Sequence, residues 1–287
     1  MSVWNTSKPA SKGPKKQEVA TFLTNKLRVG DVDPSFDVST QLQHSILQLP
    51  VWQQVLLLEA GGDLMAAGQQ ETVRLYKSIR PDCDTKPQGF YVSGYNKALD
   101  ATDAIVWYAS PDRESMRRMT HELGHFTGEL IAKHYVALTT GAKPWEAPRQ
   151  LSQLPWWRDA LEQQLNTPIH DAHLYEQRSA PSFKAMLEKY PPHERAEEAF
   201  AEIAGHYSML MMDTQGNQSQ VDAQLSEVYP ILWPAFRDRV IPLAEALAER
   251  LKPQQRDKAP EFTVGSVSHT GMTEAGQSAA MDGTPIR

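Results

Sequence analysis

The chain has 287 residues, 40% of them hydrophobic and 22% charged, enough apolar content for one large or two small packed cores, so wholesale disorder is excluded. Its 20 prolines and 16 glycines follow no period, which leaves no room for a collagen-like, low-complexity or solenoid architecture. The net charge is −6 and no basic stripe runs among aromatics, so no nucleic-acid partner is expected; the longest apolar run, Val55 to Leu58, is far short of the ~20 residues of a membrane span.

In chain order, residues 1–18 are rich in Ser, Lys and Pro (Lys8, Lys12, Pro14, Lys15, Lys16) and are expected to form a flexible tail. The start carries no apolar h-region, so a Sec signal peptide is not indicated. Phe36 to Gly62 is predicted to be largely helical, with Pro50 opening a second helix over residues 51–60 that stops at Gly61-Gly62. The runs Gly89–Tyr95 and Ala104–Ala109, aromatic and β-branched, are predicted strands.

Ser110-Pro111-Asp112 then reads as a helix start, with Ser110 as N-cap and Pro111 at the first helical position, and the helix is predicted to reach about Thr139. A Trp- and Pro-rich insertion follows over residues 141–190, with at least one short helix. A clear helix is predicted over about 194–212, and a last helical region over 221–251 is interrupted by Pro230, Pro234 and Pro242. From 252 to 287 apolar residues are isolated, and a second flexible tail is expected. The globular part is thus read as a single domain over 19–251.

Chemistry concentrates in His121-Glu122-Leu123-Gly124-His125. Histidines at i and i+4 on a helix share one face, one turn apart, and can bind one Zn²⁺. Met116, Met119, Leu123, Phe126 and Leu130 recur at helical spacing as an apolar stripe. The histidines fall opposite it beside Gly128 and Ala132, a small-residue face expected to be open. The lone cysteine, Cys83, excludes a four-thiolate zinc site, so His and carboxylates are expected to hold any metal.

A third ligand is needed. A third histidine six residues on fails, because that position is Ile131, and His134 is off register. In Glu197-Glu198-Ala199-Phe200-Ala201-Glu202, by contrast, Glu198 and Glu202 share one face, opposite the apolar Phe200, Ile203, Tyr207 and Leu210. Glu198 is the expected ligand, with Glu197 the neighbouring alternative about 100° away. Glu202, one turn on, could accept the outward N–H of a ligand histidine. Glu122 is placed to hold the water whose pKa a zinc ion lowers to about 7, to take its proton and to pass it to the leaving amine of a peptide. His193 and His206 could also approach the site, and Trp145, Trp156 and Trp157 could line a groove, although buried packing is the commoner role of such residues.

The pairing of His121–His125 with Glu198-Ala199-Phe200-Ala201-Glu202 resembles the gluzincin metallopeptidases, and the order Glu-x-Phe-Ala-Glu is most similar to the catalytic domains of anthrax-lethal-factor-like toxins and effectors. The resemblance covers about residues 90–212. It implies an α+β, mainly helical zincin fold with a small sheet over the metal helix, a Zn²⁺ cofactor, and a protein or peptide substrate docking as a strand on the sheet's edge. It also implies a tyrosine shortly before the third-ligand helix that stabilises the oxyanion, for which Tyr190 is the nearest match. The 73 residues from His125 to Glu198 exceed the family's usual gap, so specificity does not carry over. Such enzymes often act as secreted effectors, and the Ser/Lys-rich start fits export without a classical signal peptide. The competing expectations are a cytoplasmic metallopeptidase acting on the cell's own proteins, and a non-catalytic protein that keeps zinc for structure.

Overall fold

The computed structural model describes residues 13–83, 86–167 and 183–252, so the stretches 1–12 and 253–287 of the expected tails and most of the second half of the insertion lie outside the described residues. The architecture is α+β and mainly helical, with one four-stranded mixed sheet. Ordered structure starts earlier than 19: helix α1 spans Lys16–Lys26, where the backbone N–H of Lys15 donates to Glu18 Oε2 in a capping box.

Strand β1 (Leu27–Gly30) follows directly, then α2 (Val38–Ile46), capped by Asp37, and α3 (Val51–Ala60). Gly61 closes α3 at φ 74°, the left-handed conformation a glycine adopts without cost. Strand β2 (Leu64–Ala67), helix α4 (Gln69–Ile79), strand β3 (Gly89–Asn96) and strand β4 (Ala101–Tyr108) complete the sheet. Its order is β1-β2-β4-β3, parallel at the first two pairings and antiparallel between β4 and β3. The two expected strands are β3 and β4; β1 and β2 add to them. Strand β3 therefore lies at an edge, and its pairing with β4 is interrupted between Val92 and Tyr95, where Gly94 takes φ 70°.

Helix α5 (Arg113–Leu138) crosses one face of the sheet. Its start is two residues later than the Ser110 reading. The Asp112 carboxylate accepts from the Ser115 N–H and caps the helix, while Ser110 Oγ donates to that same carboxylate. Met116, Met119, Leu123 and Phe126 pack beneath Leu64, Ile105 and Trp107. On the other face Met65, Phe90, Ala104 and Val106 are covered by Leu75, Tyr76 and Ile79 of α4.

The remainder is helical: α6 (Pro155–Asn166), α7 (Phe183–Leu187), α8 (Arg195–Asp213), α9 (Gln218–Val228), α10 (Leu232–Ala235), a single wide turn over Phe236–Val240, and α11 (Ile241–Leu251). Trp157 is fully buried, with ring centroids 5.2 Å from Phe200 and 6.5 Å from Phe236, and its indole N–H donates to the Ala196 carbonyl. Trp156 is partly buried against the same core, whereas Trp145 is 80% exposed. Among the described residues of the insertion, Leu151, Leu154, Trp157, Leu161, Phe183 and Leu187 join the core, whereas 141–150 has no buried side chain. Among the described residues no helix is long and apolar enough to cross a membrane.

Candidate metal centre

The site exists because two helices approach unusually closely. A Cβ added at Gly124 of α5 would lie 2.8 Å from the Ala201 Cα and carbonyl oxygen of α8, one at Gly205 of α8 3.0 Å from the His121 amide nitrogen, and one at Gly128 2.7 Å from the Phe200 ring. The small-residue face beside the histidines is therefore closed by α8 rather than open. Small side chains let the two backbones meet, and the long side chains flanking them, His on α5 and Glu on α8, converge.

His121 Nε2 is 3.3 Å from Glu198 Oε2 and His125 Nε2 is 3.8 Å from Glu198 Oε1. The two imidazoles stand 5.1 Å apart, edge to face. One ligand atom from each of His121, His125 and Glu198 falls within 4.8 Å of the others, a group that could hold a metal ion. Each ring's remaining nitrogen meets a carboxylate. His121 Nδ1 lies 3.2 Å from Glu202 Oε2 and His125 Nδ1 lies 3.3 Å from Glu197 Oε1. A ring that donates Nδ1–H outward presents the Nε2 lone pair inward, the tautomer a metal requires. Glu197 faces the outer nitrogen of His125 and so plays toward it the part that Glu202 plays toward His121; the spacing of Glu197 in sequence suggested instead an alternative ligand.

Glu122 is buried on the sheet side of the site, its carboxylate against the start of β3, where a Cβ on Gly89 would come within 2.7 Å of Oε1. Burial pushes its carboxyl above the ordinary range, opposed by the nearby histidines. The Tyr190 hydroxyl bonds Glu198, and burial first, then the charges of Glu198, Glu122 and Glu202, drive its ionisation well above the usual tyrosine range. It remains a proton donor at any physiological pH.

Burial works to lower His121, but its hydrogen bonds to Glu198 and Glu202 prevail and hold it well above the ordinary histidine value. Burial also opposes the charged form of His125, and its bond to Glu197 with the charge of Glu198 raises it. Glu198 is held below its ordinary value: burial raises it, and the two histidines with the Tyr190 hydrogen bond outweigh that. Four carboxylates, Glu122, Glu197, Glu198 and Glu202, thus face two imidazoles across a buried space. The two imidazole nitrogens and one carboxylate oxygen form a donor set that could hold a metal ion.

The other sequence candidates sit elsewhere. His206 is buried with Nδ1 3.4 Å from the Tyr229 hydroxyl, and burial pushes its pKa down to about 4. His193 is mostly exposed beside Glu194. Tyr207 is core, stacked 6.4 Å from Trp52. Three residues against the site escaped the sequence reading: Gly89, Gly205 and Arg117, whose Nη2 lies 3.4 Å from Glu202 Oε1. Gly89 carries no signal of its role, whereas Arg117 lies one helical turn before His121 and could have been found from that spacing. No known protein family matches this chain, and no curated protein matches it.

Proposed function

We propose that the protein is a zinc-dependent peptidase of gluzincin type, hydrolysing a peptide bond of a protein or peptide substrate. One observation carries this reading: His121 and His125 turn Nε2 toward the same Glu198 carboxylate while the Nδ1 of each is held by a further glutamate. Structural zinc sites in proteins are usually closed by four protein ligands, whereas three with a general base beside them is the arrangement of hydrolytic sites.

His121, His125 and Glu198 would hold the ion, which when bound acts as a Lewis acid toward water and the scissile carbonyl. Glu122, buried against the start of β3, accepts a proton from the attacking water and returns it to the leaving amine; burial pushes its carboxyl up, which favours holding the proton between the two transfers. The Tyr190 hydroxyl, which donates to Glu198 in this structure, turns its one proton to the oxyanion that develops on the carbonyl oxygen. The substrate adds as a strand to the free edge of β3 between Gly89 and Val92, ahead of the irregularity at Gly94, and so delivers its backbone to Glu122. With this reading goes action as an exported effector, as in lethal-factor-like toxins, checked by following the protein into culture supernatant and target cells.

The test is zinc per chain by elemental analysis together with cleavage of a peptide library. The wild type should carry about one zinc, Glu198→Ala should carry none, and Glu122→Gln should keep the zinc and lose cleavage by at least about 100-fold. A metal-replete wild type without zinc, or a Glu122→Gln variant that cleaves normally, refutes the proposal.

A further inference from the structure

The α5–α8 seam carries more than the metal ligands. Along α5, residues at successive turns, Arg113, Arg117, His121 and His125, each meet a carboxylate of α8: Asp213 for Arg113, Glu202 for Arg117, Glu202 and Glu198 for His121, and Glu197 with Glu198 for His125. Glu202 is the shared member. Its Oε2 faces His121 Nδ1 at 3.2 Å and its Oε1 faces Arg117 Nη2 at 3.4 Å, so its two oxygens are engaged by two residues one turn apart on the same helix. The carboxylate is buried. Arg117 is in turn held from its other terminal nitrogen, Nη1, which donates to Glu114 Oε2 at 3.2 Å.

The geometry points to Arg117 as a positioning residue for the metal centre, acting through Glu202 on the orientation of His121; the inference rests on the metallopeptidase reading above. The physical reason is torsional. A carboxylate bonded through one oxygen can swing about its terminal bond and change the angle at which it meets Nδ1. One held through both oxygens cannot, and the planar guanidinium fork supplies a directed second bond that a rotating ammonium does not. A fixed Glu202 fixes the His121 ring plane and hence the direction of its Nε2 lone pair. Loss of such outer partners typically weakens metal binding by about 10–100-fold.

The decisive measurement is zinc affinity by chelator competition for the full chain and for Arg117→Gln, Glu202→Gln and the double variant, with the visible spectrum of the cobalt(II)-loaded proteins as a report on ligand geometry. Arg117→Gln should weaken zinc by about tenfold and alter the cobalt spectrum, Arg117→Lys should recover part of the loss, and Arg117→Gln should add nothing once Glu202 is already Gln. Should Arg117→Gln fail to fold, Arg117→Lys is measured in the same two Glu202 backgrounds and should show the same loss of effect. Wild-type affinity in the Arg117 variants, or an equal penalty with and without the Glu202 carboxylate, overturns this inference alone. A wild type that takes up no zinc overturns both it and the metallopeptidase reading.

Discussion

Replacing Gly124 with Ala tests whether helix spacing builds the site. In the middle of a helix this substitution ordinarily stabilises by about 1 kcal/mol, because glycine loses more backbone entropy on folding. Here the new Cβ would lie 2.8 Å from both Ala201 Cα and the Ala201 carbonyl oxygen, and 3.1 Å from Ala204 Cβ. Comfortable carbon contacts need about 3.5–4.0 Å, so the deficit is about 1 Å. It falls on backbone in the centre of α8, a helix locked into the core through Phe200, Ile203 and Tyr207, so no single side chain can swing away. Overpacking of this kind costs about 1–3 kcal/mol, and with a backbone obstacle we take the upper end, leaving a net loss of about 2 kcal/mol after the propensity gain. For a chain of this size that lowers Tm by about 4–8 °C. The same shift separates His121 and His125 from Glu198, while metal–ligand distances tolerate only about 0.2 Å, so zinc affinity should fall at least about tenfold. Differential scanning calorimetry and chelator competition measure the two effects. A Gly124→Ala protein that melts at or above the wild-type temperature with full zinc affinity would refute the reasoning.

Three further outcomes follow from named contacts. In Gly89→Ala the added methyl meets the end of a flexible side chain, Glu122, so Tm and zinc content should be unchanged while kcat for peptide cleavage falls about 10–100-fold through a displaced base; unchanged kcat would count against Glu122 acting from this position. Glu197→Ala should weaken zinc by about 10–100-fold, measured by chelator competition, whereas Glu198→Ala should abolish binding, because Glu197 meets only the outer nitrogen of His125. His206 should make the fold acid-sensitive. Its pKa is held near 4 in the folded protein and is about 6.5 unfolded, so the unfolded chain takes the proton first; the full contribution is present above pH 6.5 and about 3 kcal/mol is lost as pH falls from 6.5 to 4. Urea unfolding of His206→Gln across that window should show a shallower fall than the wild type, and identical slopes would contradict the assignment.

What could be read from the sequence follows from which forces leave a local period. Helices α5 and α8 were legible because each keeps one apolar stripe against the core, and a 3.6-residue repeat survives whatever the partner is. Strands β3 and β4 announced themselves by aromatic and β-branched runs. Strands β1 and β2 did not: each has four residues, β2 is buried on both faces and has no alternation, and β1 follows α1 without a turn residue. The start of α5 is ambiguous in sequence because Ser110 and Asp112 are both good caps two residues apart; in the structure Asp112 takes the Ser115 N–H and Ser110 Oγ donates to Asp112 instead of capping.

The site divides along the same line. His121 and His125 can be listed from spacing alone, because helical positions one turn apart have a fixed geometry, whereas Glu198 can be listed only with Glu197 as its alternative. The roles of Glu197 and of the small residues cannot be read this way, since both depend on how near α8 comes to α5. A wheel that counts only angles puts Glu197 about 100° from Glu198, facing away. With the helices pressed together at Gly124 and Gly205, two neighbouring glutamates bracket one imidazole, Glu198 at Nε2 and Glu197 at Nδ1. The face read as open beside Gly128 and Ala132 is therefore closed by the same approach that Gly124 and Gly205 permit, which is why the carboxylates reach the histidines at all: an open face would have left His121 and His125 in water, where two imidazoles one turn apart bind a divalent ion without the charge, burial or fixed tautomer that this arrangement supplies.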